Sequence, residues 1–255
     1  MPQSDLTIVC TAPPPDAIRA AFAAYDLRVH THRETYIAAL VRWHAALILV
    51  DGGRDDWREW VTAPRSNPAT RRIAVLVYSQ TPDTMNESAR LAGAERVLTV
   101  ADLAGNAESL LREYGRFVPP EVVAQMQAEC ADDLPELAQQ GVAQFNAGEY
   151  YAQHDLFEAL WVQTETPVRD LYRAILQVGV AYYQIQRGNG RGAKKMLLRS
   201  QQWLAILPDV CQGVDVGSLK ADAARVYDAL AGLPDDDISG FDLSLLRPVL
   251  MIDGD

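Results

Sequence analysis

The sequence predicts an α/β domain followed by an all-α domain. Three observations lead there. Up to residue 117, five short apolar runs alternate with stretches of helical period, the pattern of a parallel sheet wound by helices. Beyond residue 134 only the 3.6-residue period recurs. The charge divides near the same place. Residues 1–120 hold 13 Arg against 14 Asp and Glu, and residues 121–255 hold 10 Lys and Arg against 20 Asp and Glu, so nearly all of the net charge of −11 lies in the second part.

The elements follow in order. Leu6–Thr11 reads as a β-rich run, Asp16–Tyr25 as a helix with Ile18 and Phe22 on one face, Leu27–Thr31 as a strand and Glu34–Trp43 as a helix. Ala45–Val50 is an uninterrupted apolar run ending at Asp51-Gly52-Gly53, as a central parallel strand feeding a loop would be. A helix around Asp55–Val61, a buried strand Ile73–Tyr78, a helix Pro82–Leu91, a strand within Gly93–Thr99 and a helix Ala104–Phe117 complete five strands and five helices. The expected topology is a five-stranded, doubly wound parallel sheet of the receiver or flavodoxin type. No glycine-rich phosphate loop follows the first strand, which argues against a dinucleotide site.

Two segments of this first part resemble the receiver domain of bacterial response regulators: Ala45–Asp51, like the strand that ends in the acceptor aspartate, and Leu91–Asp102. The resemblance covers roughly residues 5–117 and implies a phosphoacceptor at Asp51 with a hydroxyl at Ser79. The departures imply the opposite activity. Where that family places its magnesium-binding acids stands Cys10-Thr11-Ala12-Pro13, and Val100 stands where it places a lysine. Magnesium needs carboxylates and waters in tight octahedral geometry, and phosphoryl transfer needs the neutralising cation. The expectation is a pseudo-receiver with a vestigial site at Asp51 and Ser79.

Pro119-Pro120 ends the first domain, drawn at 1–118, and 119–134 reads as a linker holding a short helix, Glu121–Cys130. Asp133 is the expected cap of the next helix. The helical domain, 135–255, reads as helices over Pro135–Asn146, Glu149–Gln163, Val168–Arg187, Arg191–Leu207 and Ser218–Ala231, with Ser218 a cap. Val168–Arg187 is apolar on most sides and is the expected centre of a bundle. Gly192 and Ala193 are small residues where two backbones of a helical hairpin approach. An apolar tail, 243–252, is expected to dock back.

The stretch from Glu149 to Trp161 carries the candidate chemistry. His154, Glu158 and Trp161 are spaced at i, i+4 and i+7 on one helix face, with Tyr150 and Phe157 placed on the same stripe. An imidazole and a carboxylate in an apolar seam would need partners. Three readings stay open: a hydrogen-bonded structural pair, a divalent metal held by His154 and Glu158, and acid–base chemistry on a small molecule. A metal would need further ligands. The other three histidines, His30, His32 and His44, lie in the first part, so Glu149, Asp155, Glu165 and Asp170 are the nearby donors, with Tyr172, Gln177 and Gln184 of the central helix the groups to look for across the bundle. Arg187, Arg191, Lys194, Lys195 and Arg199 form a basic stretch, read as a solvated face answering the domain's own carboxylates or as an anion or partner site.

The ordered set His154-x-x-x-Glu158-x-x-Trp161, Ile175-Leu176-Gln177, Arg187-Gly188-Asn189-x-x-Gly192-Ala193 and Gly213-Val214-Asp215 resembles the family named domain of unknown function 309, over about residues 136–230. The resemblance implies an all-helical fold and a motif suspected of binding metal. It implies no activity.

Composition bounds the rest. The chain is 49% hydrophobic and 22% charged, ordinary for a protein with a real core, and its longest apolar runs are strand-sized. Its start lacks the layout of a signal peptide. Cys10, Cys130 and Cys211 show no metal or redox spacing and read as reduced thiols in a cytoplasmic protein, with Cys130 and Cys211 as small buried hydrophobes. The acidic second domain matches neither phosphate backbones nor a membrane. The expected partner is a protein or a small molecule, or a second copy of the chain as a homo-oligomer.

Overall fold

Five parallel strands frame the N-terminal part: β1 (Thr7–Cys10), β2 (Asp26–Val29), β3 (Leu47–Asp51), β4 (Ala74–Tyr78) and β5 (Arg96–Leu98). In the computed structural model, which describes residues 6–252, they pair in the order β2-β1-β3-β4-β5. The chain divides into two compact units, Met1–Phe117 and Val118–Asp255.

Strand β4 is buried throughout, and β3 up to Val50, which is why both read as unbroken apolar runs. One face packs Ile8, Leu49, Leu76 and Tyr78 against α1 (Asp16–Ala21), α5 (Val100–Gly105) and α6 (Ala107–Tyr114). The other packs Val9, Ile48, Val50 and Val77 against α2 (Tyr36–Arg42), α3 (Trp57–Ser66) and α4 (Pro82–Ala92). The single helix expected over Ala104–Phe117 is two. The Thr99 hydroxyl accepts the Asp102 amide and opens α5 at Val100, and the chain breaks at Asn106. The strand order reverses direction between β1 and β3, so Asp51 stands beside the crevice where ligands of such sheets bind.

The second unit is helical: α7 (Pro120–Glu129), α8 (Glu136–Asn146), α9 (Ala152–Gln163), α10 (Arg169–Gln186), α11 (Gly190–Leu204) and α12 (Val216–Ala231). Helix α10 is the centre, burying Leu171, Ile175, Val178, Tyr182 and Ile185, with α9 and α11 both packed on it. Gly188, at φ +71°, turns the chain into α11, and the Asn189 side chain caps that helix by accepting the Gly192 amide at 2.9 Å. Both glycines at its start are closely enclosed: a Cβ on Gly190 would stand 2.6 Å from Ile238 and 2.9 Å from the Asp235 carbonyl oxygen, and one on Gly192 would stand 2.6 Å from the Asn189 side chain.

Two expected caps are replaced. Pro135, not Asp133, precedes α8, and Asp215 rather than Ser218 caps α12, its carboxylate accepting the Ser218 amide at 2.8 Å. A short hairpin absent from the sequence reading, β6 (Val210–Cys211) and β7 (Val214–Asp215), turns through Gln212 and Gly213, both at positive φ. The tail docks as expected: Val249 donates to and accepts from the Asn146 side chain, and Ile252 donates to the Gly213 carbonyl.

The cysteine reading is corrected. Cys130 and Cys211 form a disulfide across 81 residues, joining the end of α7 to β6, and the Gln212 amide donates to the Cys130 carbonyl at 2.7 Å beside it. Cys10 remains a buried free thiol. Closing so long a loop in the unfolded chain is worth roughly 4 kcal/mol by the loop-entropy account. Denatured protein kept free of reductant is expected to titrate with one thiol, and Cys130→Ser to lose stability of that order in urea. Three thiols would contradict the pairing.

Candidate functional site

The phase of α9 decides which side chains the motif presents. The sequence reading put His154, Glu158 and Trp161 in one seam with Tyr150 and Phe157, and the structure separates them. Gln153 and Phe157 are fully buried, His154 is partly exposed and Glu158 is exposed. One residue along a helix is a rotation of about 100°. The buried line runs through Gln153 and Phe157, His154 and Glu158 run beside it, and Leu160 and Trp161 are both partly buried against the core. Tyr150 precedes the helix and packs edge-on against Phe145 and Tyr182.

Two glycines hold this phase. Gln153 Nε2 donates to the Tyr150 carbonyl at 2.9 Å and the Leu176 carbonyl at 3.4 Å, and a Cβ on Gly179 of α10 would lie 2.2 Å from that nitrogen. On the other side, a Cβ on Gly141 of α8 would lie 2.7 Å from the Phe157 ring. A buried amide with two carbonyl acceptors is tolerated where a buried Glu carboxylate would be costly.

On the outer face, His154 Nδ1 lies 3.2 Å from Asp155 Oδ1, and its ring stacks on the exposed Tyr151 at 6.3 Å between centroids. Ligand atoms of His154, Asp155 and Glu158 all lie within 4.8 Å of one another, the one such group of three among the described residues. The other expected partners are elsewhere. Glu149 and Glu165 are exposed. Tyr172 donates to Gln212 Oε1 at 2.9 Å, and Gln184 Oε1 accepts from the capping Asn189 at 2.7 Å. Gln177 is buried, its Oε1 shielded without a hydrogen-bond partner. In the basic stretch, Arg187 lies over Tyr183, Lys194 bonds Asp235 at 2.8 Å and Arg191 stands 3.6 Å from the same carboxylate, so part of that stretch answers the domain's own acids.

Trp161 leads to residues the sequence reading did not single out. The Arg173 guanidinium carbon lies 4.5 Å from the Trp161 ring centre and 3.7 Å from that of Trp203 on α11, so the cation lies against two indoles. Arg169, one turn earlier, lies 5.6 Å from Trp161. The sequence signal was the Arg169, Arg173, Gln177 spacing, a polar line of i, i+4 steps on an otherwise apolar helix.

In the first unit, Asp51 Oδ1 accepts the Gly53 amide at 2.9 Å, and its charged neighbour is the guanidinium of Arg54, which chelates Asp56. Ser79 Oγ accepts the Thr81 amide. Behind them the Thr11 and Tyr78 hydroxyls are buried without hydrogen-bond partners, and burial pushes the Cys10 thiol up to about 12.

Burial also raises the Asp170 carboxyl to about 6, against the pull of Arg173 and Arg169. A carboxyl raised on folding holds its proton more tightly in the folded state. Its contribution is therefore full below pH about 4 and lost as pH rises through about 6. Asp170→Asn is expected to be more stable than the parent at pH 8, by roughly 1–3 kcal/mol, with no advantage at pH below 4. Urea unfolding at the two pH values measures it, and an Asn variant less stable at pH 8 would show that the arginines outweigh burial.

The family comparison falls on this helical unit. Residues 138–196 match the model of a family described as Domain of unknown function (DUF309), a stretch that takes in nearly all of α8, the whole of α9 and α10 and the start of α11. A curated relative, an "Uncharacterized protein" of Aquifex aeolicus (strain VF5), is 22% identical over 87 residues, which is 34% of this chain and 26% of that protein. The match thus spans about a quarter of the relative's length.

Proposed function

We propose that this chain is a regulatory or interaction protein in which the helical unit binds a ligand or partner through the outer face of α9. The observation that carries the reading is the outward phase of the motif. Groups that are not needed in a core, the polar His154 and Glu158 and the exposed Tyr151 and Val162, line the surface beside Trp161. A structural pair would be buried, and acid–base catalysis would need a dry pocket around it. The α/β unit serves, in this reading, as a receiver-like docking or dimerising module that does not accept phosphate. The cation beside Asp51 and the absence of acids at Thr11 and Ala12 support that. Among the described residues no helix is long and apolar enough to cross a membrane. We place the protein in the bacterial cytoplasm. Its partner is a protein or a small molecule rather than nucleic acid.

A second reading has its own observation. The convergence of His154, Asp155 and Glu158 gives a helix-surface site for a divalent cation of the kind that imidazole and carboxylates share. It would use the same face, and stoichiometric metal in the purified protein, lost in His154→Ala, would favour it.

The double variant His154→Ala, Glu158→Ala is expected to unfold within about 0.5 kcal/mol of the parent, as surface substitutions do. A loss of several kcal/mol would return the pair to a structural role. Incubated with acetyl phosphate and magnesium, the protein is expected to gain no mass, and labelling at Asp51 would overturn the view of the first unit.

A further inference from the structure

We infer that the Cys130–Cys211 disulfide is a redox latch: oxidation fastens α7 to the β6–β7 hairpin, and reduction lets it go. The inference rests on the cytoplasmic placement given above, since a disulfide in a compartment that thiols keep reducing is typically transient or redox-sensing. The geometry says what such a bond would control. Of the ten residues of α7 only Met126 is buried, and its apolar neighbours Val122 and Val123 are half-buried. Among the described residues, the hydrogen bonds that tie α7 to the rest of the unit gather at its last turn and just beyond. Glu129 Oε2 accepts the Val168 amide at 2.9 Å, the Gln212 side chain donates to the Glu129 carbonyl at 3.4 Å, and the Gln212 amide donates to the Cys130 carbonyl. Two of these three come from the residue next to Cys211. A helix with so little buried surface belongs to the least stable part of a fold.

Gln212 is also a strained residue. Its φ of +51° lies in the left-handed region, which a side chain other than glycine occupies only where its surroundings hold it. Three things hold it here: the Cys130 carbonyl, the Tyr172 hydroxyl that donates to Gln212 Oε1 at 2.9 Å, and the covalent bond at Cys211. Opening the bond removes the one restraint that is covalent. α7 is then kept in place by a single buried methionine and three hydrogen bonds, against the relaxation of Gln212.

The reaction is exchange with a cellular dithiol. Its thiolate attacks the Cys130 sulfur, because Cys130 keeps 8% of its surface exposed at the end of a mostly exposed helix, whereas Cys211 is fully buried. Cys211 leaves as a thiolate and takes a proton. The second thiol of the reductant gives up its proton and displaces Cys130, which is protonated in turn. The protein gains two electrons and two protons, and the dithiol becomes a disulfide. Undocking follows. Residues 118–134 then pass from the folded second unit to the chain that joins it to the first, and Val122, Val123 and Met126 become exposed.

Amide hydrogen exchange of the full chain, read by mass spectrometry, tests this. In protein reduced with dithiothreitol, peptides covering 120–130 should lose their protection and exchange like an unstructured chain, while those of α10 and α11 stay protected. Oxidation with diamide should restore the protection of α7. The reduced parent needs no substitution, and the double variant Cys130→Ser, Cys211→Ser should match it with or without diamide. An α7 that stays protected while both thiols are free to alkylate would overturn the proposal. So would a reduced protein in which α7 and α10 exchange at one common rate, since the bond would then be a staple of the whole unit, or a bond that dithiothreitol opens only after urea has unfolded the chain. In growing cells, thiols trapped with acid and alkylated should show both cysteines reduced, and cells treated with diamide should show them joined. A bond already closed in growing cells would also overturn the switch. Fractionation of the same cells reads the cytoplasmic placement separately, and His154→Ala should leave every outcome unchanged, so that failure here is separable from failure of the α9 face.

Discussion

The helical unit depends on the contact between Gln153 and Gly179. At that point the Gln153 amide of α9 occupies the space where a side chain on Gly179 of α10 would stand, while donating to two backbone carbonyls. Gly141 does the same service for Phe157 on the α8 side. A helix clamped on both flanks has one rotational setting, because close-packed interiors do not deform continuously. That setting turns His154 and Glu158 outward and brings Trp161 over the first turns of α10. The exposure of the motif is thus a consequence of packing elsewhere, not a property of the motif residues.

The same setting divides the polar groups into two kinds. Those on α9 are solvated and close together, suited to meeting something at the surface. Those around Arg173 lie against the Trp161 and Trp203 rings, in surroundings of lower dielectric than the surface. The first unit shows a third arrangement. Its sheet ends at a crevice of the type that binds ligands, yet the groups there are an aspartate facing an arginine and hydroxyls buried behind it. That combination is poor for a divalent cation.

Much of the architecture was legible in the sequence. Strands β3 and β4 are covered on both faces, so their apolar runs needed no periodicity to be recognised, and α10 announced itself as the centre by the same logic. Gly188 and Asn189 stood out in the sequence only as part of a motif, and the turn between two helices that calls for a positive φ and a cap explains them. The site was legible only in part. His154, Glu158 and Trp161 share a face by spacing alone, but spacing does not say whether that face is inside, and a one-residue change of phase moves a side chain from core to water. The residues that set the phase were glycines in α8 and α10, whose meaning appears only with the neighbouring helix in place. Arg173 and Trp203 are 30 residues apart and meet across a helical hairpin, and Cys130 and Cys211 meet across 81 residues, so neither pairing leaves a local trace.

The central claim, that the motif face of α9 looks outward, is tested most directly by the reactivity of a thiol placed on it. In Glu158→Cys, the new thiol should react with a maleimide at the rate of an unstructured peptide, while the native Cys10, buried in the first unit, serves as the protected standard in the same molecule. Protection of position 158 to the degree of Cys10 would place the motif in the core and contradict the account.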